Sequence, residues 1–223
     1  AISLYCLCCE DEPGPQVKAA ATTGDQARIV FDVAKKMVSR TPDLREEFGL
    51  EVLANAIACH RNGGNIRPIN SKASTQDGLN PHLYVIDELH AHRNRGLFDV
   101  LRSARGARRN PLSLYVTTAG FHLDGVCYEE RAFLCKVLQG VLEAENYFGI
   151  IYTLDGPADR EPPLLGPDGV PIGDDPFDEA VWIKPNPNLG VSRSLITLRE
   201  DAHKAMHSPE SQGEFKTKNM NLW

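Results

Sequence analysis

Two adjacent carboxylates close an apolar run in Leu83-Tyr84-Val85-Ile86-Asp87-Glu88, and Leu89-His90-Ala91-His92 follows at once. An apolar strand delivering two acids at its carboxyl end is a Walker B arrangement, and ligands of open α/β sheets gather at those ends. Successive side chains on a strand face opposite ways, so the two acids take different tasks as the strand runs out. Asp87 is the expected Mg²⁺ ligand, directly or through water. Glu88 is the expected general base on an attacking water, a role worth about 10²–10⁴ in rate. Taken alone, the motif leaves open a strand that merely ends in acidic loop residues.

A second apolar run, Leu114-Tyr115-Val116-Thr117-Thr118-Ala119-Gly120, ends in two hydroxyls about 30 residues after Asp87. In many motor ATPases a polar residue on the strand beside Walker B senses the γ-phosphate, and Thr117 and Thr118 have the chemistry for it. The competing reading is β-branched residues favoured in a strand, closed by a glycine turn. Against nucleotide hydrolysis stands the phosphate-binding loop G-x-x-x-x-G-K-[ST], which supplies backbone amides and a lysine. None of the 18 glycines is followed by lysine. Residues 1–9 are apolar nearly all round and meet Glu10-Asp11-Glu12-Pro13-Gly14-Pro15. They read as the last turns of a buried helix of the kind a phosphate loop leads into, so the expectation is a core that has lost its front.

These residues need a sheet to position them. Gln16 to Thr22 reads as a strand, and Thr23-Gly24-Asp25-Gln26 as a capping box. The helix it opens carries Ile29, Val30, Val33, Ala34, Met37 and Val38 at helical spacing. Thr41-Pro42 opens another helix, and residues 54–70 form a hairpin turning at Asn62-Gly63-Gly64-Asn65. After the strand at 83–86 come a helix over 96–104, a strand at 113–118, and a helix with Leu134, Cys135, Leu138, Val141 and Leu142 on one face. A strand follows at 149–154. Such alternation predicts an α/β fold, a parallel sheet with helices on both faces. Between Asp155 and Glu179 lie eight acids against the single basic Arg160, with six prolines and four glycines, which is linker composition. Helical character returns at Thr197-Leu198-Arg199-Glu200, read as a capping box, and after Ser208-Pro209.

Composition narrows the classes of partner. Across 223 residues, 24 basic against 30 acidic side chains give a net charge of −6, so no general positive field holds nucleic acid. Three of the six cysteines, Cys6, Cys8 and Cys9, crowd into four positions, which fits neither a disulfide framework nor zinc-ligand spacing. With no long apolar run and no basic leader, a soluble intracellular chain without membrane contact is expected.

Six motifs in order give the sequence a family likeness. They are Ala21-Thr22-Thr23-Gly24-Asp25-Gln26-Ala27-Arg28, Asp77-Gly78-Leu79-Asn80-Pro81-His82, Asp87-Glu88-Leu89-His90-Ala91-His92, Thr117-Thr118-Ala119-Gly120, Asn186-Pro187-Asn188-Leu189-Gly190 and Lys218-Asn219-Met220-Asn221-Leu222-Trp223. Through them the chain resembles the large subunit of tailed-bacteriophage terminases, the motor that packages DNA into proheads. The resemblance implies a P-loop (ASCE) ATPase core at 1–154 and a linker with a small helical subdomain at 155–223, ahead of a nuclease domain absent from these residues. It implies Mg²⁺ on Asp87, ATP as substrate, Glu88 as catalytic carboxylate, and Thr117, Thr118 and Gly120 as the coupling motif. The implied partners are double-stranded DNA, a small terminase subunit, a portal protein and identical subunits in a ring, in the cytoplasm of the bacterial host. Without a phosphate loop, the piece alone is expected to be inactive.

Several side chains carry two readings. Gln26 is a candidate nucleotide contact, although its capping position explains it too. Arg67 is the arginine-finger candidate, with Arg28 and Arg102 in competition. His90 and His92 flank the acids but lack a third spaced ligand, so a loop role is expected. Arg93, Arg95, Arg102, Arg105, Arg108 and Arg109 form either a patch facing DNA phosphates or a neighbouring subunit, or a solvated helix face. Asp155 and Asp159 read as linker acids. Two alternatives remain, a DExH helicase-like ATPase, since Asp87-Glu88-Leu89-His90 fits that box, and a non-catalytic prophage remnant serving as a binding scaffold.

Overall fold

The computed structural model describes residues 1–70, 79–93, 95–157 and 165–223. Asp77, Gly78, Asp159 and Arg160 therefore lie outside the described residues. The chain divides into two compact units, Ala1–Thr117 with Gly125–Cys127, and Thr118–Asp124 with Tyr128–Trp223.

The first unit is built on a six-stranded sheet in the order β2-β3-β4-β1-β5-β6. The strands are β1 (Gln16–Ala21), β2 (Leu50–Val52), β3 (Ile57–Cys59), β4 (Gly64–Asn70), β5 (Pro81–Asp87) and β6 (Leu112–Val116). β1 lies between β4 and β5, parallel to both, with Val17 opposite Ile66 and Leu83. β5 and β6 are also parallel, with Asp87 opposite Val116. β2 and β3 add an antiparallel extension, and the expected hairpin turns between Cys59 and Gly64. The mixed, mostly parallel sheet agrees with the fold class read from the sequence.

Alternation along the strands sorts the residues to two faces. Val17, Ile66, Leu83 and Val85 pack under α1 (Ile2–Cys8) and α2 (Gly24–Arg40) through Leu4, Leu7, Phe31, Ala34 and Val38. On the other face Tyr84 and Tyr115 share a hydroxyl–hydroxyl hydrogen bond of 2.8 Å, and Tyr115 meets Phe98 of α4 (Gly96–Ala104). Residues 81–86 of β5 are buried throughout, as a strand covered on both faces must be.

Three helix readings change. The buried stripe of α2 is Ala27, Phe31, Ala34 and Val38, while Ile29, Val33 and Met37 are exposed. Spacings of four, three and four keep the stripe on one side, so Phe31 rather than Ile29 meets the sheet. α1 buries Leu4, Cys6 and Leu7 but exposes Ile2 and Tyr5, so it is amphipathic rather than buried all round. The helix expected through Leu142 is α5 (Val126–Leu138), because Gly140 takes the left-handed conformation at φ 69° and Val141 and Leu142 fall beyond it. Between α2 and β2 the short α3 (Pro42–Phe48) starts at Thr41-Pro42 as expected.

The arginine run is not one face. Arg95 and Arg102 lie over the Phe98 ring. Arg108 is a buried clamp whose guanidinium donates to Asn80 O, Glu12 Oε1, Pro13 O and Gly14 O at 2.8–3.0 Å. That spends its donors on the fold rather than on phosphates.

The second unit has an aromatic core. Phe177 stacks on Phe215 with centroids 5.5 Å apart, Trp182 meets Phe215 edge-on, and Leu154, Leu198, Ala202 and Met220 complete it. α6 (Leu195–His207) begins two residues before the Thr197 expected to cap it. Ser194 is the cap, its hydroxyl accepting the Thr197 N–H at 3.3 Å. α7 (Pro209–Glu214) follows from Ser208-Pro209 as expected and runs into a π turn at Phe215–Asn219. The strand expected at 149–154 forms no ladder, although exposed and covered residues alternate along it. The period-2 pattern is present, but no strand among the described residues pairs with it. Asp155 is more than a linker acid. It joins buried Asp174 in holding Lys184 Nζ, with the Asp174 contact at 2.7 Å.

Candidate active site at the carboxyl end of β5

Asp87 is the last residue of β5, and Glu88 leaves the strand in the left-handed region at φ 52°, ψ 50°. For a residue with a Cβ that conformation costs about 1–2 kcal/mol, and such strain concentrates where a side chain must be aimed. Two acceptors hold the turn. The Glu88 N–H faces Asp87 Oδ1 at 3.0 Å and Val116 O at 2.9 Å, extending the β5–β6 ladder by one residue. A single 3₁₀ turn, Leu89–Ala91, then buries Leu89 and returns His90 toward β6.

At the end of β6, Thr117 Oγ1 accepts the His90 backbone N–H at 3.1 Å and hydrogen-bonds the ring Nδ1 at 3.0 Å. Glu88 Oε2 also lies 3.0 Å from that nitrogen. Cys127 donates its thiol to the same hydroxyl at 3.8 Å. The loop histidine thus connects the second carboxylate to the first threonine, a contact between residues 27 apart that the sequence reading missed. The one local signal was a histidine placed two residues after the second acid. His92 is buried, and burial first, then the charge of His90, hold its pKa below the usual 6.5. Among the described residues no three His, Cys, Asp or Glu side chains gather as a metal cluster. A lone, half-buried Asp87 carboxylate fits Mg²⁺, which takes one or two carboxylates and keeps its other positions for water and phosphate oxygens.

The other candidates are dispersed. Gln26 caps α2, its N–H donating to Thr23 Oγ1 at 3.3 Å and its Oε1 accepting the Thr22 hydroxyl at 2.6 Å. It stands beyond the carboxyl end of β1, on the same edge of the parallel sheet as Asp87. Arg67 lies within β4 opposite Lys18, which is in turn opposite Tyr84, three residues before Asp87. Three residues of strand and two strand spacings separate Arg67 from the acids, each about 10 Å. The structure thus does not bring it to the carboxylates of its own chain. Thr118 and Gly120 belong to the second unit. There Ala119 N–H donates to Asn221 Oδ1 at 2.6 Å, and Asn221 Nδ2 donates to Tyr152 O at 2.7 Å. Asn186 Nδ2 donates to Asn219 O at 2.9 Å, so the threonine–glycine, Asn-Pro-Asn and C-terminal motifs are tied by asparagines.

The family model described as terminase large subunit, ATPase domain, matches residues 1–136. The chain belongs to the terminase large-subunit family. A second model, terminase large subunit, endonuclease domain, matches residues 169–223. Protein YmfN of Escherichia coli strain K12 is 36% identical over 156 residues, 70% of this chain and 31% of that protein. The terminase large subunit of Enterobacteria phage HK97 is 23% identical over 208 residues, 92% of this chain and 37% of its own. The crystal structure of the HK97 large terminase matches with a TM-score of 0.77 at 22% identity, over 99% of this chain and 42% of that one, a likeness of fold. This terminase chain therefore spans less than half the length of the relatives it matches.

Proposed function

We propose that this chain carries part of the ATP-hydrolysing engine of a viral DNA-packaging motor. The observation that carries the reading is the Asp87–Glu88 pair at the carboxyl end of β5, with Thr117 at the end of the parallel neighbour β6. Asp87 would hold Mg²⁺, which when bound neutralises phosphate charge. Glu88 accepts the proton of the attacking water, while Thr117, Thr118 and Gly120 form the coupling segment. Arg67 is exposed on β4 and is the proposed finger, toward a neighbouring subunit's nucleotide, and Gln26 borders the base. Residues 1–154 are read as the ATPase core and 155–223 as the linker subdomain, within which 169–223 match the endonuclease-domain model. The partners of the working motor are double-stranded DNA, a small terminase subunit, a portal protein and further copies of the subunit, in the host cytoplasm.

No glycine in these residues precedes a lysine, so the backbone cradle for phosphates is not supplied here. The 223-residue chain alone should show no ATP turnover. The assignment is tested on a chain extended to the length of its relatives. There Glu88→Gln should cut DNA-stimulated hydrolysis by about 10²–10⁴ with nucleotide affinity retained, and Asp87→Ala should abolish Mg²⁺-dependent binding. Hydrolysis that survives Glu88→Gln undiminished would refute it.

A further inference from the structure

We infer that Lys18 and Arg67 together form a phosphate-binding site on one face of the sheet. The inference rests on the reading that gives Arg67 a phosphate to meet, and it adds a second cation to that arginine. Lys18 on β1 and Arg67 on β4 are register partners in a parallel pair. Their backbones therefore lie about 4.8 Å apart and their side chains leave the same face. That face also carries Tyr84, opposite Lys18 on β5, and is not the one that Val17 and Ile66 turn toward α1 and α2. Among the described residues neither cation has a hydrogen-bond or carboxylate partner. The Tyr84 hydroxyl is engaged with Tyr115 at 2.8 Å. Glu51, a carboxylate that the register places on the same face, lies two strands from β4 and is held by His60 at 2.9 Å.

Such an arrangement is costly unless an anion joins it. Lys18 is only 6% exposed, and burial first, then the Arg67 charge, push its ammonium down to about 8. Two cations side by side, one of them out of water, oppose folding, and a bound anion offsets both the burial and the repulsion. The two side chains contribute differently. Arg67 is exposed and offers a planar fork to paired oxygens. Lys18 adds its charge from under cover, where screening by salt is weak. Two positive charges and a fork suit the clustered anionic oxygens of phosphate better than the single charge of a carboxylate. Nucleotides and the DNA backbone share that chemistry.

The test is phosphate binding by the 223-residue chain, read as the titration of the Lys18 ammonium by ¹³C NMR of its side chain. Inorganic phosphate should raise that titration from about 8 toward the ordinary 10.5. Arg67→Gln raises the starting value and should abolish the phosphate-dependent rise. Arg61→Gln, which removes an exposed arginine from the hairpin before β4, should leave the rise intact. Two further arms, ATP without Mg²⁺ and a short DNA duplex, identify the source, which is the probe that produces the same rise at the lower concentration. Lys18→Met should weaken binding of that probe about tenfold, as loss of a unit charge at this range implies. A Lys18 titration unmoved by millimolar phosphate, ATP and duplex alike would overturn the inference, as would an equal rise in Arg67→Gln. A rise with duplex alone upholds the site and removes the nucleotide from it, so failure of the finger reading shows separately. With no Mg²⁺ present and no hydrolysis followed, none of these results depends on the Glu88→Gln experiment.

Discussion

Lys18 on β1 stands directly opposite Arg67 on β4, and the lysine is 94% covered while the arginine is exposed. Burial first, and then the Arg67 charge, push the Lys18 ammonium down to about 8. A buried cation beside another cation opposes folding. The native protein binds fewer protons than the unfolded chain between pH 8 and 10.5, so stability rises with pH across that window. Below pH 8 the penalty is complete, on the order of 3 kcal/mol. Lys18→Met should therefore stabilise the sheet at neutral pH by about 1–3 kcal/mol and flatten the alkaline rise. Denaturant titrations followed by far-UV circular dichroism at pH 7 and pH 10 check both. A destabilised Lys18→Met chain would mean the ammonium has a partner in the folded state.

His92 makes the opposite end of the pH range informative. Its folded pKa is depressed below 6.5, so the native state prefers the neutral ring. The contribution is intact above pH 6.5 and is lost as the pH falls below it, because the unfolded chain takes up the proton first. Acid titration should show a stability decline starting near that pH, with a shallower slope in His92→Leu. Equal slopes would mean that other groups govern the acid limb.

Much of the first unit was legible from spacing alone. The apolar run of β5 ending in Asp87-Glu88 declared a covered strand and where it stops, and Thr23-x-x-Gln26 marked the start of α2. What local sequence does not carry is partnership across the chain. The His90 contact to Thr117 spans 27 residues and that of Asn221 to Ala119 spans 102. Nothing in a neighbouring residue announces the Asn221 contact, and for His90 the one local sign is its place two residues after Glu88. The segment at 149–154 shows the same limit from the other side, since its alternation is evident but a ladder needs a second strand. Arg108 looked like a surface cation by type, and only the fold shows three carbonyls and a carboxylate converging on it.

Asn221 offers a third prediction. It sits at φ 55° and uses both side-chain groups, accepting from Ala119 N–H and donating to Tyr152 O. Asn221→Gly keeps the backbone angle and loses both bonds, so it should cost the second unit about 1–3 kcal/mol. Asn221→Ala loses the same bonds and adds the left-handed penalty, a further ~1 kcal/mol. Urea titration of the three chains resolves the two contributions. If glycine and alanine prove equally harmful, the backbone angle carries no strain.

The chain contains two tryptophans, and both belong to the second unit, Trp182 within its aromatic core and Trp223 edge-on to Tyr128. The sheet that carries Asp87, Glu88 and His90 has none. Selectively excited tryptophan emission is therefore a private reporter of the second unit, and the sheet unfolds without a direct optical signature in that channel. Melting curves recorded by emission and by backbone dichroism need not coincide, and the gap between them would measure how far the two halves lose their structure independently.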